Sequence, residues 1–176
     1  MSDVSGARFA LVAARWNDAY VLPLIRGATE ALTALGIPEG DIDVIRVPGS
    51  FEVPQAALYA AQSGRYDAVV GLGVLIRGAT LHFDVIAREA ASGLAAVTRL
   101  TGVPATFGIV TADTAKQALA RCGGALGNRG ADAALAAADM VLIRRKLLSS
   151  SPQSHSEGGE HRPMGREHDL RVRSHK

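Results

Sequence analysis

The stretch "YDAVVGLGVLI", residues Tyr66–Ile76, is apolar over nearly its whole length. A strand with this pattern has both faces covered, which is typical of a parallel sheet with helices on each side. Three further runs of strand length, Arg8–Arg15, Asp41–Gly49 and Val103–Thr111, alternate with stretches of helical character. We therefore expect an α/β fold, a three-layer α/β/α sandwich with a four-stranded parallel sheet and helices on both faces.

The stretches between these strands carry helix signals. Asn17 or Asp18 can cap a first helix, Thr114 and Gln117 fit a capping box, and the alanine-rich residues 131–148 predict a long final helix. The first helix should bury one apolar stripe at helical spacing, formed by Val21, Ile25, Ala28, Leu32 and Leu35.

The composition changes abruptly at Leu147, beyond which Ser, His, Arg, Glu, Gly and Pro dominate. We expect one folded domain over residues 1–147 and a polar, disordered tail over residues 148–176. A net charge of +2 does not indicate a nucleic-acid partner, and no apolar run reaches the roughly 20 residues of a membrane span. The single cysteine, Cys122, excludes an intrachain disulfide and favours a cytoplasmic setting.

Ligands of such sheets bind beyond the carboxyl ends of the strands. The third strand ends in "RGATLH", in which Gly78–Thr80 offers backbone N–H groups and a hydroxyl to an anion. His82 follows two residues after Thr80, and the other four histidines all lie in the predicted tail. A lone histidine is usually structural, but beside an anion-binding turn and near Asp84 an imidazole can act as a general acid and base.

Other polar or aromatic residues at this edge allow two interpretations each. Trp16 either covers the core beneath the first helix or offers a flat face to a planar heterocycle. Glu52 either interacts with a helix dipole or accepts hydrogen bonds from a polyol. Arg121 is either a solvated cation at a helix end or a phosphate clamp. No histidine or cysteine stands near enough to His82 for a zinc cluster.

Four motifs, "ARWN", "VPGSFEVP", "GVLIRGATLHFD" and "FGIVT…QALAR…GNRGADAAL", resemble the 6,7-dimethyl-8-ribityllumazine synthase family in order and spacing over essentially the whole predicted domain. The resemblance implies the penultimate reaction of riboflavin biosynthesis, without cofactor or metal. In that reaction 5-amino-6-(D-ribitylamino)uracil condenses with 3,4-dihydroxy-2-butanone 4-phosphate. It also implies a homopentamer with active sites between adjacent subunits and riboflavin synthase as a candidate partner.

The resemblance assigns roles to individual residues. Trp16 would stack on the pyrimidine, and His82 would be the general acid and base. Phe107 would complete the pocket from the neighbouring subunit. The remaining assignments are Ser50, Phe51 and Glu52 for the ribityl chain, backbone groups of Val74, Leu75 and Ile76 for the uracil, and Ala79, Thr80 and Arg121 for the phosphate.

Assembly and activity leave alternatives. Some family members close twelve pentamers into an icosahedral shell of 60 subunits, and the short loop over residues 121–127 favours such a shell here. The tail matches nothing in the family pattern. Because the predicted fold is flavodoxin-like, a module that binds a phosphorylated flavin or nucleotide without catalysis is a second hypothesis. A catalytically idle shell protein is a third.

Overall fold

The computed structural model describes residues 4–149. Apart from residues 148 and 149, which end the last helix, the predicted tail and its four histidines lie outside the described residues. The four long strands are β1 Phe9–Ala14, β2 Ile42–Val47, β3 Ala68–Ile76 and β4 Ala105–Ala112. The helices are α1 Asp18–Ala34, α2 Val53–Gln62, α3 His82–Thr101, α4 Ala115–Arg121 and α5 Arg129–Ser149.

The four long strands form one parallel sheet in the order β2-β1-β3-β4. The two central strands are the most buried, since all of β1 and the first seven residues of β3 are inaccessible to solvent. The edge strands β2 and β4 each include half-buried and exposed positions. The predicted four-stranded parallel sheet is therefore confirmed, with the apolar stretch Ala68–Ile76 at its centre.

Each face of the sheet has its own hydrophobic core. Phe9, Leu11 and Leu72 point to the face covered by α1 and α5, whereas Val12 and Val69 point to the face covered by α2 and α3. Neighbouring residues of one strand alternate between the two cores because side chains in a strand have a period of two. The three-layer α/β/α sandwich, a flavodoxin-like arrangement, is confirmed.

The two glycines of "GLG" in β3 are packing residues. A Cβ at Gly71 would lie 2.6 Å from Leu94 of α3 and 3.0 Å from Val53 of α2. A Cβ at Gly73 would collide with the hydroxyl of Ser50. The missing side chains therefore let α2, α3 and the loop after β2 lie directly on the sheet.

Asn128 joins the two helices on the opposite face. Its Oδ1 accepts hydrogen bonds from the backbone N–H groups of Gly130 and Ala131, which caps α5. Its Nδ2 donates to the carbonyl of Pro23 in α1 over 2.8 Å. Asn128 also fills the space that a side chain at Gly27 would need. Close contact between α1 and α5 thus depends on two glycines, Gly27 and Gly130, and one capping amide.

Several local expectations need correction. Asn17 occupies the cap position of α1, but its side chain makes no capping hydrogen bond. In the predicted α1 stripe, Leu35 is exposed and Ile25 only half-buried, while Leu24 and Gly27 are buried instead because α5 packs against that side. Thr114 caps α4 as predicted, since its hydroxyl accepts the N–H of Gln117, but the Gln117 side chain accepts the N–H of Asp113 and not that of Thr114. The predicted loop after α4 is a short antiparallel hairpin, β5 Cys122–Gly124 and β6 Gly127–Asn128.

Within residues 4–149, every helix is too short or too polar to cross a membrane.

We predict that Gly130→Ala destabilises the fold although alanine favours helices. The new Cβ would lie 2.8 Å from the carbonyl carbon of Leu24 and closer still to its oxygen, and backbone atoms cannot rotate away. Such overpacking costs about 1–3 kcal/mol, which urea unfolding would detect. Gly40→Ala is the control, because its Cβ would meet no atom within 4 Å; equal stability of the two variants would contradict the packing argument.

Candidate active site

A cavity of about 610 Å³ opens at the carboxyl edge of the sheet. Its volume is typical of a site for a small organic ligand. Its walls are the segments that follow β1, β2 and β3 together with the first turns of α3. The lining residues are Trp16, Asn17, Pro48, Gly49, Ser50, Phe51, Glu52, Val74, Leu75, Ile76, Gly78, Thr80, His82, Phe83, Val85 and Ile86.

Two aromatic side chains on this cavity are largely open to solvent. Trp16 is 76% exposed and Phe51 is 54% exposed. A tryptophan that covers the core would be buried, so the core interpretation of Trp16 does not hold for this chain. Exposed rings beside a cavity provide flat apolar surface for a planar ligand or a protein partner.

Asn17, which follows Trp16, has an unusual backbone conformation. Asn17 has φ 62° and ψ 40°, in the left-handed region, and it is the one non-glycine residue with positive φ among residues 4–149. Asparagine tolerates this conformation better than most residues. Its side-chain Nδ2 donates to the carbonyl of Val74 over 2.8 Å, which ties the end of β1 to β3.

Polar groups line the side of the cavity formed by the loop after β2. Ser50 is only 5% exposed and packs over Gly73. One carboxylate oxygen of Glu52 accepts the backbone N–H of Gly49 over 2.9 Å, which holds the side chain at the cavity. The second oxygen accepts no hydrogen bond from residues 4–149 and is available to a hydroxyl-rich ligand.

The turn between β3 and α3 presents unused donors. Within the described residues, the backbone N–H groups of Gly78, Ala79 and Thr80 have no acceptor. The hydroxyl of Thr80 lies 3.5 Å from the N–H of His82, the first residue of α3. The side chain of His82 is exposed at the cavity. Free N–H groups ahead of a helix form a favourable place for an anion.

Arg77 occupies the base of this turn. Its Nη1 and Nη2 donate to the two carboxylate oxygens of Asp84 over 2.8 and 3.1 Å, and its Nε donates to Asp113 over 2.8 Å. These hydrogen bonds raise the pKa of Arg77 and hold the pKa of the Asp84 carboxyl below its usual value. Asp84 is thus engaged by Arg77, so the expectation that it assists His82 is not supported.

The structure brings most of the predicted site residues together but leaves three away from the cavity. Ala79 lies in the anion-binding turn, although its side chain does not line the cavity. Phe107 is 43% exposed on the edge strand β4, where it pairs with Gly71. Arg121 donates to the carbonyl of Gln117 in its own helix. Phe107 and Arg121 therefore do not line the cavity of their own chain.

Six lining residues were not assigned to the site from the sequence, namely Asn17, Pro48, Gly49, Phe83, Val85 and Ile86. The helical spacing of apolar residues could have indicated Ile86, because Ile86 continues the buried stripe of Ala90, Leu94 and Val97 beyond the edge of the sheet. Nothing in the pattern around Asn17 indicates its left-handed backbone.

Neither metal binding nor thiol chemistry is suggested by this part of the chain. Among residues 4–149, no three His, Cys, Asp or Glu side chains form a group that could hold a metal ion. Burial raises the pKa of the Cys122 thiol to about 11, so the thiol stays protonated at neutral pH.

The sequence profile of the family described as 6,7-dimethyl-8-ribityllumazine synthase matches residues 6–145. This chain belongs to the 6,7-dimethyl-8-ribityllumazine synthase family. A relative from Halorhodospira halophila with that name is 49% identical over 141 residues, which cover 80% of this chain and 90% of the relative. The match to the lumazine synthase family spans all four long strands and ends within α5, so every wall of the cavity belongs to the matched region.

We predict that Asn17→Ala destabilises the protein more than Asn17→Gly. Both variants lose the hydrogen bond to Val74, worth about 1 kcal/mol, but only alanine also resists the left-handed backbone, by about 1–2 kcal/mol. Urea unfolding of the two variants beside the wild type would measure the difference. Equal losses would mean that the left-handed backbone at Asn17 carries no strain.

Proposed function

We propose that this chain catalyses the condensation of 5-amino-6-(D-ribitylamino)uracil with 3,4-dihydroxy-2-butanone 4-phosphate to 6,7-dimethyl-8-ribityllumazine, phosphate and water. The protein would therefore be a transferase of riboflavin biosynthesis. The main support is the cavity itself, which unites an exposed ring, a free carboxylate oxygen, an anion-binding turn and a histidine at one sheet edge. Family membership supports the same activity.

The end of the cavity near Trp16 suits the uracil substrate. The exposed indole can stack on the planar pyrimidine, and the backbone of Val74–Ile76 lies along the same wall. Ser50, Phe51 and the free oxygen of Glu52 offer contacts to the hydroxyls and carbon chain of a ribityl group. Holding the amine against a carbonyl in this way converts a bimolecular reaction into an effectively unimolecular one.

The end of the cavity near α3 suits the phosphorylated substrate. The unpaired N–H groups of Gly78–Thr80 and the hydroxyl of Thr80 can bind its phosphate. His82 follows this turn by two residues, so its imidazole can deliver and remove protons while phosphate leaves and the second ring closes. Imine formation, the first bond-forming step, needs orientation more than acid catalysis.

The activity is tested by mixing purified protein with the two substrates and following product absorbance with free phosphate in parallel. We expect both signals to rise together. If neither rises with folded, assembled protein, the reaction is wrong, and a binding module or an idle shell protein becomes the better explanation.

The assembly we propose is a homopentamer whose cavities are completed by neighbouring subunits. Large exposed apolar side chains at and around the cavity support it, namely Trp16, Leu81 and Val85, together with Phe107 on the edge strand. Arg121 would supply its charge to a neighbour's phosphate site, since it does not line its own cavity. Closure into a 60-subunit shell, a cytoplasmic location and contact with riboflavin synthase stay predictions.

We predict that His82→Ala lowers kcat by about 10²-fold, the usual contribution of a general acid and base. KM for both substrates should change little, because stacking and phosphate contacts are intact. Steady-state kinetics measure both parameters. His82→Gln keeps a polar side chain but cannot relay a proton, so it should be equally slow; normal turnover in either variant would remove His82 from proton transfer.

We predict that two impaired variants, His82→Ala and Arg121→Ala, partly restore activity to each other in mixed assemblies. A cavity with His82 from one subunit and Arg121 from its neighbour is intact in about one site in four of a random symmetric mixture. Co-expression with two different tags and purification on both would isolate mixed assemblies. Each variant assembled alone is the control, and mixed assemblies no more active than these controls would contradict a site shared between subunits.

A further inference from the structure

The guanidinium of Arg77 joins three segments around the turn that precedes α3. Its backbone N–H donates to the carbonyl of Ala112 at the end of β4 over 2.9 Å, and its Nε reaches Asp113 in the next position. Its other two nitrogens hold Asp84, in the first turn of α3, with the parallel fork that makes arginine–carboxylate pairs directional. The guanidinium carbon also lies 4.2 Å from the ring centre of Phe83.

Arg77 is poorly suited to bind phosphate itself. Two carboxylates flank its single positive charge, so the group of three carries a net negative charge that repels an anion. All three guanidinium nitrogens already donate, and the side chain does not line the cavity. The usual assumption that an arginine beside an anion-binding turn is a ligand therefore does not fit this geometry.

Few other hydrogen bonds restrain the segment between β3 and α3 that Arg77 spans. Residues 77–81 have no regular structure, and Leu81, the residue that precedes α3, provides no side-chain cap. The contact between Thr80 and the N–H of His82 is 3.5 Å long, at the limit of a hydrogen bond. The N–H groups of Asp84 and Val85 donate to the carbonyl of Leu81, and the Arg77 fork on Asp84, two residues from His82, adds a side-chain restraint on this helix end.

We propose that Arg77, with Asp84 and Asp113, is a positioning clamp that holds His82 and the anion-binding turn in register with the cavity. The Phe83 ring beneath the guanidinium extends the clamp to the cavity wall. This role in turnover rests on the proposed function, whereas the restraint on residues 78–86 does not. The clamp residues are positioning residues, because they act through His82 and the turn.

If Arg77 and Asp84 only stabilised the fold, their loss would lower the unfolding temperature without a separate effect on kcat. The side chains of Arg77 and Asp84 are 42% and 34% exposed, and pairs this exposed contribute little to global stability. Loss of the clamp should therefore appear in local order and in kcat, and not in the unfolding temperature. Loss of a phosphate ligand should instead raise KM for the phosphorylated substrate.

The variants are Arg77→Lys, which keeps the charge but loses the fork, Asp84→Asn, and the double variant. The matched controls are Arg145→Lys and Asp67→Asn, a pair with side chains 40% and 34% exposed. Asp67 precedes β3 and Arg77 follows it. The control pair therefore lies about 30 Å from Arg77, at the amino ends of the strands. Each protein is measured for kcat, KM of both substrates, thermal unfolding and backbone hydrogen exchange over residues 78–86.

We expect Arg77→Lys and Asp84→Asn to lower kcat by about 10-fold or more, since small misplacement of reacting groups is costly. Exchange over residues 78–86 should accelerate, while both KM values and the unfolding temperature change little. The double variant should be no slower than the slower single variant, because the two residues act as one unit. The controls should match the wild type in every measurement.

Unchanged kcat together with unchanged exchange would overturn the proposal, and so would an effect confined to KM of the phosphorylated substrate. If Arg77→Lys does not fold, Asp113→Asn removes one arm of the clamp at a side chain that is 65% exposed, and it should accelerate exchange to a smaller extent. If the wild type makes no product, the proposed function fails, but the exchange data still decide whether the clamp exists.

Discussion

Burial of both faces of β1 and β3 is the constraint on which the remaining structure depends. Every residue of β1 and the first seven of β3 are buried, so their backbone groups must pair within the sheet and their side chains need apolar cover on two sides. Helices α1 and α5 on one face and α2 and α3 on the other provide that cover. Polar side chains are excluded from this interior and gather where the strands end.

The same packing brings the walls of the cavity together. Gly71 and Gly73 lack the side chains that would separate α3 and the loop after β2 from the sheet. Ser50 can therefore lie against β3, and Glu52 is held by Gly49 at the neighbouring position. Packing and function are coupled here, because a larger residue in the middle of β3 would move cavity walls that it does not line.

The cavity of a single chain is open on one side. Solvent contacts its exposed rings, its free N–H groups and the free oxygen of Glu52. A ligand or a second subunit would satisfy these groups better. Phe107 and Arg121 belong to the same family motif but lie away from this cavity. Within the chain, in contrast, Arg77 restrains the turn before α3 through its ion pairs with Asp84 and Asp113.

The sequence by itself determined the parallel sheet, the helix order and the edge at which Trp16, Glu52 and His82 meet, because hydrophobic periodicity and strand polarity are local properties. Its motifs also determined the family. Only the tertiary structure decided that Asn17 has a left-handed backbone, that Asp84 pairs with Arg77 and not with His82, and that Arg121 lies away from its own cavity. The first and the last depend on segments far apart in the chain, and the pairing of Asp84 depends on an arginine that Asp113, 36 residues away, also holds. No spacing along the sequence records such distances.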